Sequence, residues 1–187
     1  DFETVFVDLD IKPLPALTAW LTGESYHVKR FINQQMKNKL AEILKKEEFD
    51  IVQMESIFLT PYVPLVRKLS KAKVVLRSPN VENMIWKRTY KATKNPLKRY
   101  YLKHLALTLE YYEKENINQY DAIFPVTDVD ANYFIENGYR KLCKAVAVGI
   151  ETPEFIPDVL EEENSIFHIG SMNWFPNEQG IKWFLES

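Results

Sequence analysis

Apolar positions along this chain follow two periods. Residues 3–10, "ETVFVDLD", alternate apolar and polar as a strand does, and Pro13 and Pro15 end that pattern before a short helical stretch around residues 17–21. Between residues 28 and 46, Phe31, Ile32, Met36, Leu40, Ile43 and Leu44 recur at spacings of three and four, which predicts one long amphipathic helix. "FDIVQME" is then a short buried strand, residues 58–69 a helix, and "AKVVLRS" another apolar strand. A helix carrying Trp86 follows "PNVEN", and Asn95-Pro96 restarts the chain as a long helix running to about residue 118. "DAIFPVT" is the next strand, with Thr127 or Asp128 placed to cap a helix ending near Gly138, and "KAVAV" is one more. Residues 165–169 form a further strand, Gly170-Ser171 breaks it, and residues 180–185 have helical spacing. Short strands, apolar on both faces and alternating with helices, predict an α/β fold with a parallel sheet covered by helices.

Between residues 150 and 164 the composition shifts to "IETPEFIPDVLEEEN", rich in proline and acid, and reads as a linker. The expected organisation is therefore a domain over 1–149, a linker over 150–164, and the first strand–helix unit of a second domain over 165–187. Length and composition fit this: 187 residues can bury a full core, and 46% hydrophobic with 27% charged residues is ordinary for a globular protein. A net charge of −2 points to no nucleic-acid or acidic partner. The single cysteine, Cys143, excludes an internal disulfide framework and a cysteine zinc cluster, and suits a reducing compartment. No apolar run is long enough for a membrane span and the N-terminus has no signal-peptide pattern, so a soluble or peripherally attached chain is expected. A start at Asp1 and an end within a helical pattern suggest an internal segment of a longer protein.

In open parallel sheets ligands bind beyond the carboxyl ends of the strands, where loops and helix N-termini converge. That rule selects residues 53–56, 77–82, 127–130 and 170–173. "LRSPNVEN" supplies a cation, an amide and a carboxylate in Arg77, Asn80 and Glu82, enough to hold a hydroxylated or phosphorylated ligand; the structural alternative is that Asn80 or Ser78 caps the next helix while Arg77 pairs with Glu82. Gln53 and Glu55 share one side of a strand end, and Asp128 and Asp130 sit where a helix dipole favours carboxylates with or without a functional duty. "HIGSMNW" ends its strand in a glycine turn through which backbone amides can approach a phosphate. His27, His104 and His168 have no metal-like spacing, and "DLD" at residues 8–10 is too short a motif to carry a metal assignment.

Residues 86–104, "WKRTYKATKNPLKRYYLKH", interleave cations with aromatics. Trp86, Lys87, Arg88, Lys98 and Arg99 are candidates for contact with anionic lipid headgroups; the alternative is a solvated face complemented by Glu110, Glu113 and Glu115. No nucleic-acid-binding motif accompanies the stretch.

The succession "FDIVQMES", "VVLRSPNVEN", "LEYYEKENINQYDAIFPVTDVDANYF", "VGIETPEF" and "FHIGSMNWFPNEQGIKWFLE", over residues 23–187, resembles the retaining GT-B glycosyltransferases of family 4, the group 1 glycosyltransferases. The resemblance implies two Rossmann-like domains facing across a cleft, the N-terminal one taking the acceptor and the C-terminal one a nucleotide-sugar donor. It implies acceptor contacts from Glu55, Arg77, Asn80, Glu82, Thr127 and Asp128, and donor phosphates near Gly170 and Ser171. It also implies metal-independent, cofactor-free transfer to a glycan or lipid-linked acceptor in the cytoplasm, at the inner face of the membrane. The family's glycine-rich acceptor loop would precede Asp1 and its E-x7-E element would follow Ser187, so this segment alone is expected to be inactive. Similar sequences often read R-x-H-N-x-E where this one has Pro79, so no imidazole stands at that position and no catalytic residue is assigned. Two alternatives remain, a non-catalytic α/β binding module and a GT-B nucleotide-sugar epimerase.

Overall fold

The computed structural model describes residues 2–149, 165–172 and 175–186. The chain divides into two compact units, Asp1–Gly149 and Ile150–Ser187. The region read as a linker lies outside the described residues.

The first unit is built on four parallel strands in the order β1 (Ile51–Met54), β2 (Lys73–Ser78), β3 (Ala122–Pro125) and β4 (Leu142–Cys143). The fold is α/β, with an all-parallel sheet flanked by helices, as a Rossmann-like domain requires. In the register Arg77 lies beside Phe124 and Ser78 beside Pro125, so the carboxyl ends of β2 and β3 finish level. The strand expected at "KAVAV" is instead β4, just before it; residues 144–148 form no strand, although Lys144 N and Val146 N still donate to the Ile123 and Pro125 carbonyls of β3 at 3.2 and 2.7 Å. At the amino end Asp121 accepts from Val74 N and is paired with Arg67 at 2.8 Å, clamping the start of β3 to β2.

Helices cover the sheet: α1 (Pro13–Thr22), α2 (Tyr26–Lys29), α3 (Gln34–Lys46), α4 (Val63–Leu69), α5 (Glu82–Ala92), α6 (Pro96–Asn116) and α7 (Asp128–Glu136). The main core gathers Val74, Leu76 and Ile123 from the strands with Tyr62, Val66 and Phe134 from the covering segments. Each such side chain contributes about 1.5–3 kcal/mol by leaving water. A smaller cluster, Ala19, Tyr26, Leu102 and Leu105, joins α1 and α2 to the α5–α6 hairpin.

Three expectations are corrected here. Residues 3–10 form no strand; Val5 and Val7 turn into a groove with Phe31, Met36 and Leu40, while Phe2 and Phe6 stay exposed. The alternation is satisfied against a helix surface, with Arg30 donating to the Leu9 carbonyl at 3.0 Å and Asn33 to the Phe6 carbonyl at 3.3 Å. The helix expected over 28–46 is broken between α2 and α3. Asn33 caps α3 by accepting from Met36 N at 3.1 Å, and the Tyr62 hydroxyl bridges the break, donating to the Phe31 carbonyl and accepting from Asn33 N. The helix expected over 58–69 begins as a 3-10 turn, Ile57–Tyr62, and becomes α-helical only in α4, with Pro61 inside the turn and Pro64 in the first turn of α4.

In the second unit α8 (Phe175–Glu186) starts five residues before the predicted 180. Residues 165–169 form no strand: Ile166, Phe167 and Ile169 are exposed, and among the described residues of this unit there is no second strand to pair with.

Candidate functional site

β2 and β3 finish level and β1 stops two residues short of them, and three of the sequence-selected stretches follow these strand ends. Arg77, the penultimate residue of β2, reaches across to Glu55 beyond β1, with Nη1 3.3 Å from Oε2, and Gln53 donates to the other oxygen of the same carboxylate at 2.5 Å. Arg77 therefore pairs with Glu55 and not with Glu82, contrary to the structural alternative. The capping expectation for Asn80 or Ser78 is also corrected: Val81 occupies the N-cap of α5 without a side-chain cap, and Ser78 Oγ donates to the Asn80 carbonyl at 2.7 Å, tightening the turn. Asn80 itself stays exposed beside that turn.

Glu82 opens α5, and partial burial holds its carboxyl above the usual carboxylate range. At the neighbouring strand end Thr127 caps α7, accepting from Asp130 N at 3.1 Å and donating to the Asp130 carboxylate at 2.9 Å. That exchange engages the Thr127 hydroxyl, whereas Asp128 is exposed in the first turn. Between the starts of α5 and α7 lies a small hollow of about 130 Å³, lined among others by Asn80, Val81, Arg88, Asp130 and Tyr133. It is large enough for a hydroxyl or phosphate group and smaller than the usual pocket for a whole ligand.

Behind the hollow is a polar cluster that sequence reasoning missed. Asn83 is fully buried; its N–H donates to Glu113 Oε1 at 3.1 Å, and its side-chain amide donates to Glu113 Oε2 and, at 2.7 Å, to the Tyr133 hydroxyl. Glu113 is only 2% exposed, and burial pushes its carboxyl up to about 7 against the opposing pull of the Asn83 hydrogen bonds, with Glu82 and Glu110 adding repulsion. Burial also raises the Tyr133 phenol to about 12, so it remains a neutral donor at the edge of the hollow. The signal was in the sequence: Leu102, Leu105 and Leu109 mark the buried stripe of α6, and Glu113 is one turn further along it.

The residues named for membrane contact do not share one face. Trp86 is turned into the fold and packs against the buried His27, the rings tilted by 34° with centroids 4.0 Å apart, and Lys87 pairs with Glu110 at 2.8 Å. Arg88 borders the hollow, while Lys98 and Arg99 are exposed at the start of α6. In the second unit Asn177 donates to the Ser171 carbonyl at 3.0 Å. A Cβ at Gly170 would lie 2.6 Å from both Asn177 Nδ2 and His168 Nε2, so that turn is closely packed by its own unit. Among the described residues no group of three or more histidine, cysteine, aspartate or glutamate side chains could hold a metal ion. Nor, among the described residues, is any helix long and apolar enough to cross a membrane.

With this geometry in view, comparison with known proteins gives no further constraint: no family model, no curated protein and no solved structure matches the chain.

Proposed function

We propose that residues 1–149 are the acceptor-side domain of a glycosyltransferase of the GT-B type, and that the Ile150–Ser187 unit belongs to its nucleotide-sugar donor side. The observation that supports this reading is the convergence of Glu55, Arg77, Glu82, Thr127 and Asp128 on the carboxyl ends of three adjacent parallel strands. These groups, with Asn80, offer directed donors and acceptors to the hydroxyls of a sugar acceptor. Gly170 and Ser171 would present backbone to the donor phosphates. Since Pro79 supplies no imidazole, departure of the nucleotide would be assisted by the donor's own phosphate and by fixed dipoles.

The test is kinetic. In the protein expressed at its natural length, Arg77→Ala and Glu82→Ala should each lower kcat/KM for sugar transfer by about 100-fold, which is close to 3 kcal/mol of transition-state stabilisation. Unchanged transfer in both variants would remove these residues from the site.

A further inference from the structure

Side chains from three helices form one hydrogen-bonded chain behind the hollow. Glu113 of α6 accepts twice from Asn83 of α5, the backbone N–H at Oε1 and the amide Nδ2 at Oε2, and the same Nδ2 donates to the Tyr133 hydroxyl of α7. The first of these bonds is a cap supplied from another helix. Asn83 is the second residue of α5, Val81 brings no side-chain cap, and Glu113 accepts one of the first-turn N–H groups that the helix leaves open. The backbone of α5 is thereby tied to α6 in whichever direction the Asn83 amide is turned.

Two groups of this chain remain open among the described residues. Asn83 Oδ1 is buried without a partner, and the Tyr133 hydroxyl, which accepts from Asn83, meets no acceptor for its own hydrogen. Tyr133 also lines the hollow, where Asn80 and Arg88 add donors and Asp130 an acceptor. The oxygen and nitrogen of an amide are nearly alike in size, so a half-turn about the Asn83 Cβ–Cγ bond exchanges Oδ1 and Nδ2 without displacing a neighbour. With Glu113 ionised, the amide donates to both neighbours, and Tyr133 turns its hydrogen away from Asn83 and toward the hollow. With a proton on Glu113 Oε2, the turned amide accepts from the Glu113 O–H and from the Tyr133 O–H, and the phenol shows the hollow only an oxygen lone pair. Each state has three hydrogen bonds and one unpartnered amide atom, so the proton on Glu113 decides between them.

We propose that Tyr133 is a ligand contact of the hollow, offering its O–H to an acceptor oxygen only while Glu113 is ionised, and that Glu113 and Asn83 are its positioning residues. The oxygen received is that of a sugar hydroxyl, a point that rests on the transferase reading; the proton-linked switch itself does not. Burial places the change near neutrality, with the Glu113 carboxyl pushed up to about 7. Of the other groups facing it, Glu82 at the start of α5 and Glu110 one turn back on α6 raise it further, Glu110 being paired with Lys87 of α5 and Lys114 of α6 at 2.8 Å each. The Tyr133 phenol of α7, held up to about 12, stays neutral throughout.

The experiment is a pH titration of the chain by nuclear magnetic resonance, with carbon-13 in the glutamate carboxyls and the tyrosine Cζ and nitrogen-15 in the asparagine amides. The Glu113 carboxyl, the Asn83 amide and the Tyr133 Cζ should shift together with one midpoint near 7. In Glu113→Gln, whose amide donates to Asn83 Oδ1 as the protonated acid does, the Asn83 and Tyr133 signals should stay at the parent's low-pH positions at every pH. Should that variant fail to fold, by circular dichroism, the coincidence of the three parent midpoints still decides. An Asn83 or Tyr133 signal that stays still while Glu113 titrates would overturn the proposal, as would a Glu113 that keeps one charge state from about pH 5.5 to 8.5.

Transfer gives a second readout. In the protein at its natural length kcat/KM should rise by about tenfold from pH 6 to 8, the worth of one hydrogen bond, and Glu113→Gln, Tyr133→Phe and the double variant should each remove that rise to the same extent. A rise that persists in Glu113→Gln would overturn the proposal. Coupled shifts in a protein that transfers no sugar would support the switch and remove the transferase reading alone.

Discussion

Glu113 and His27 are buried titratable groups whose pH effects on stability run in opposite directions. Glu113 holds its proton up to about 7 in the folded chain against an ordinary value of 4.5. The folded state thus binds the extra proton, and stability present below pH 4.5 is lost as the pH rises through 7, by about 3 kcal/mol. His27 is held down to about 4 from 6.5, chiefly by burial and secondarily by Arg30. Its stabilisation is present above pH 6.5 and is lost as the pH falls towards 4, by about 3 kcal/mol again. Between these limits the two slopes oppose each other. In urea denaturation across a pH series, Glu113→Gln should unmask a rise in stability from pH 4 to 6.5, while His27→Phe, which keeps an aromatic against Trp86, should unmask a fall from 4.5 to 7. The glutamine is expected to fit because Asn83 Oδ1 has no partner and the Asn83 amide can rotate to offer it. Slopes identical to the parent's in both variants would contradict the assignment.

The same buried polar chemistry decides what is legible at the level of elements. β1, β2 and β3 fall inside the apolar runs that predict them, since a short run bounded by turn residues leaves a parallel strand little freedom. Residues 3–10 and 165–169 show why a pattern alone is insufficient: alternation reports at most which side can be buried, whereas a strand also needs a neighbour for its backbone groups. The break between α2 and α3 was hidden because Phe31, Ile32 and Met36 keep helical spacing across it, although Asn33 is a good capping residue. Asn33→Ala should therefore cost about 1 kcal/mol in chemical denaturation. Tyr62→Phe, which unpartners the Phe31 carbonyl and Asn33 N–H, should cost about 1–3 kcal/mol. A double-mutant cycle should show coupling between them; strict additivity would mean that the bridge does not set the break. Of the candidate site, the strand-end positions were legible from topology, but the partner of Arg77 was not. It comes from Glu55, beyond a strand that is adjacent only in space.

At the scale of the whole molecule the first unit contains the entire sheet and both apolar clusters. Residues 1–149 expressed alone should unfold in one cooperative thermal transition with near-ultraviolet circular dichroism intact, and a broad transition would show that the core is incomplete without the second unit. The central claim, a glycosyl transfer site at the strand ends, is tested most directly by product analysis. The protein at its natural length would be incubated with a panel of nucleotide sugars and hydroxylated acceptors, and the products followed by nuclear magnetic resonance. The account predicts a new glycosidic bond with the donor's anomeric configuration retained. An epimerised nucleotide sugar with no acceptor product, or no binding of any nucleotide sugar, would contradict it.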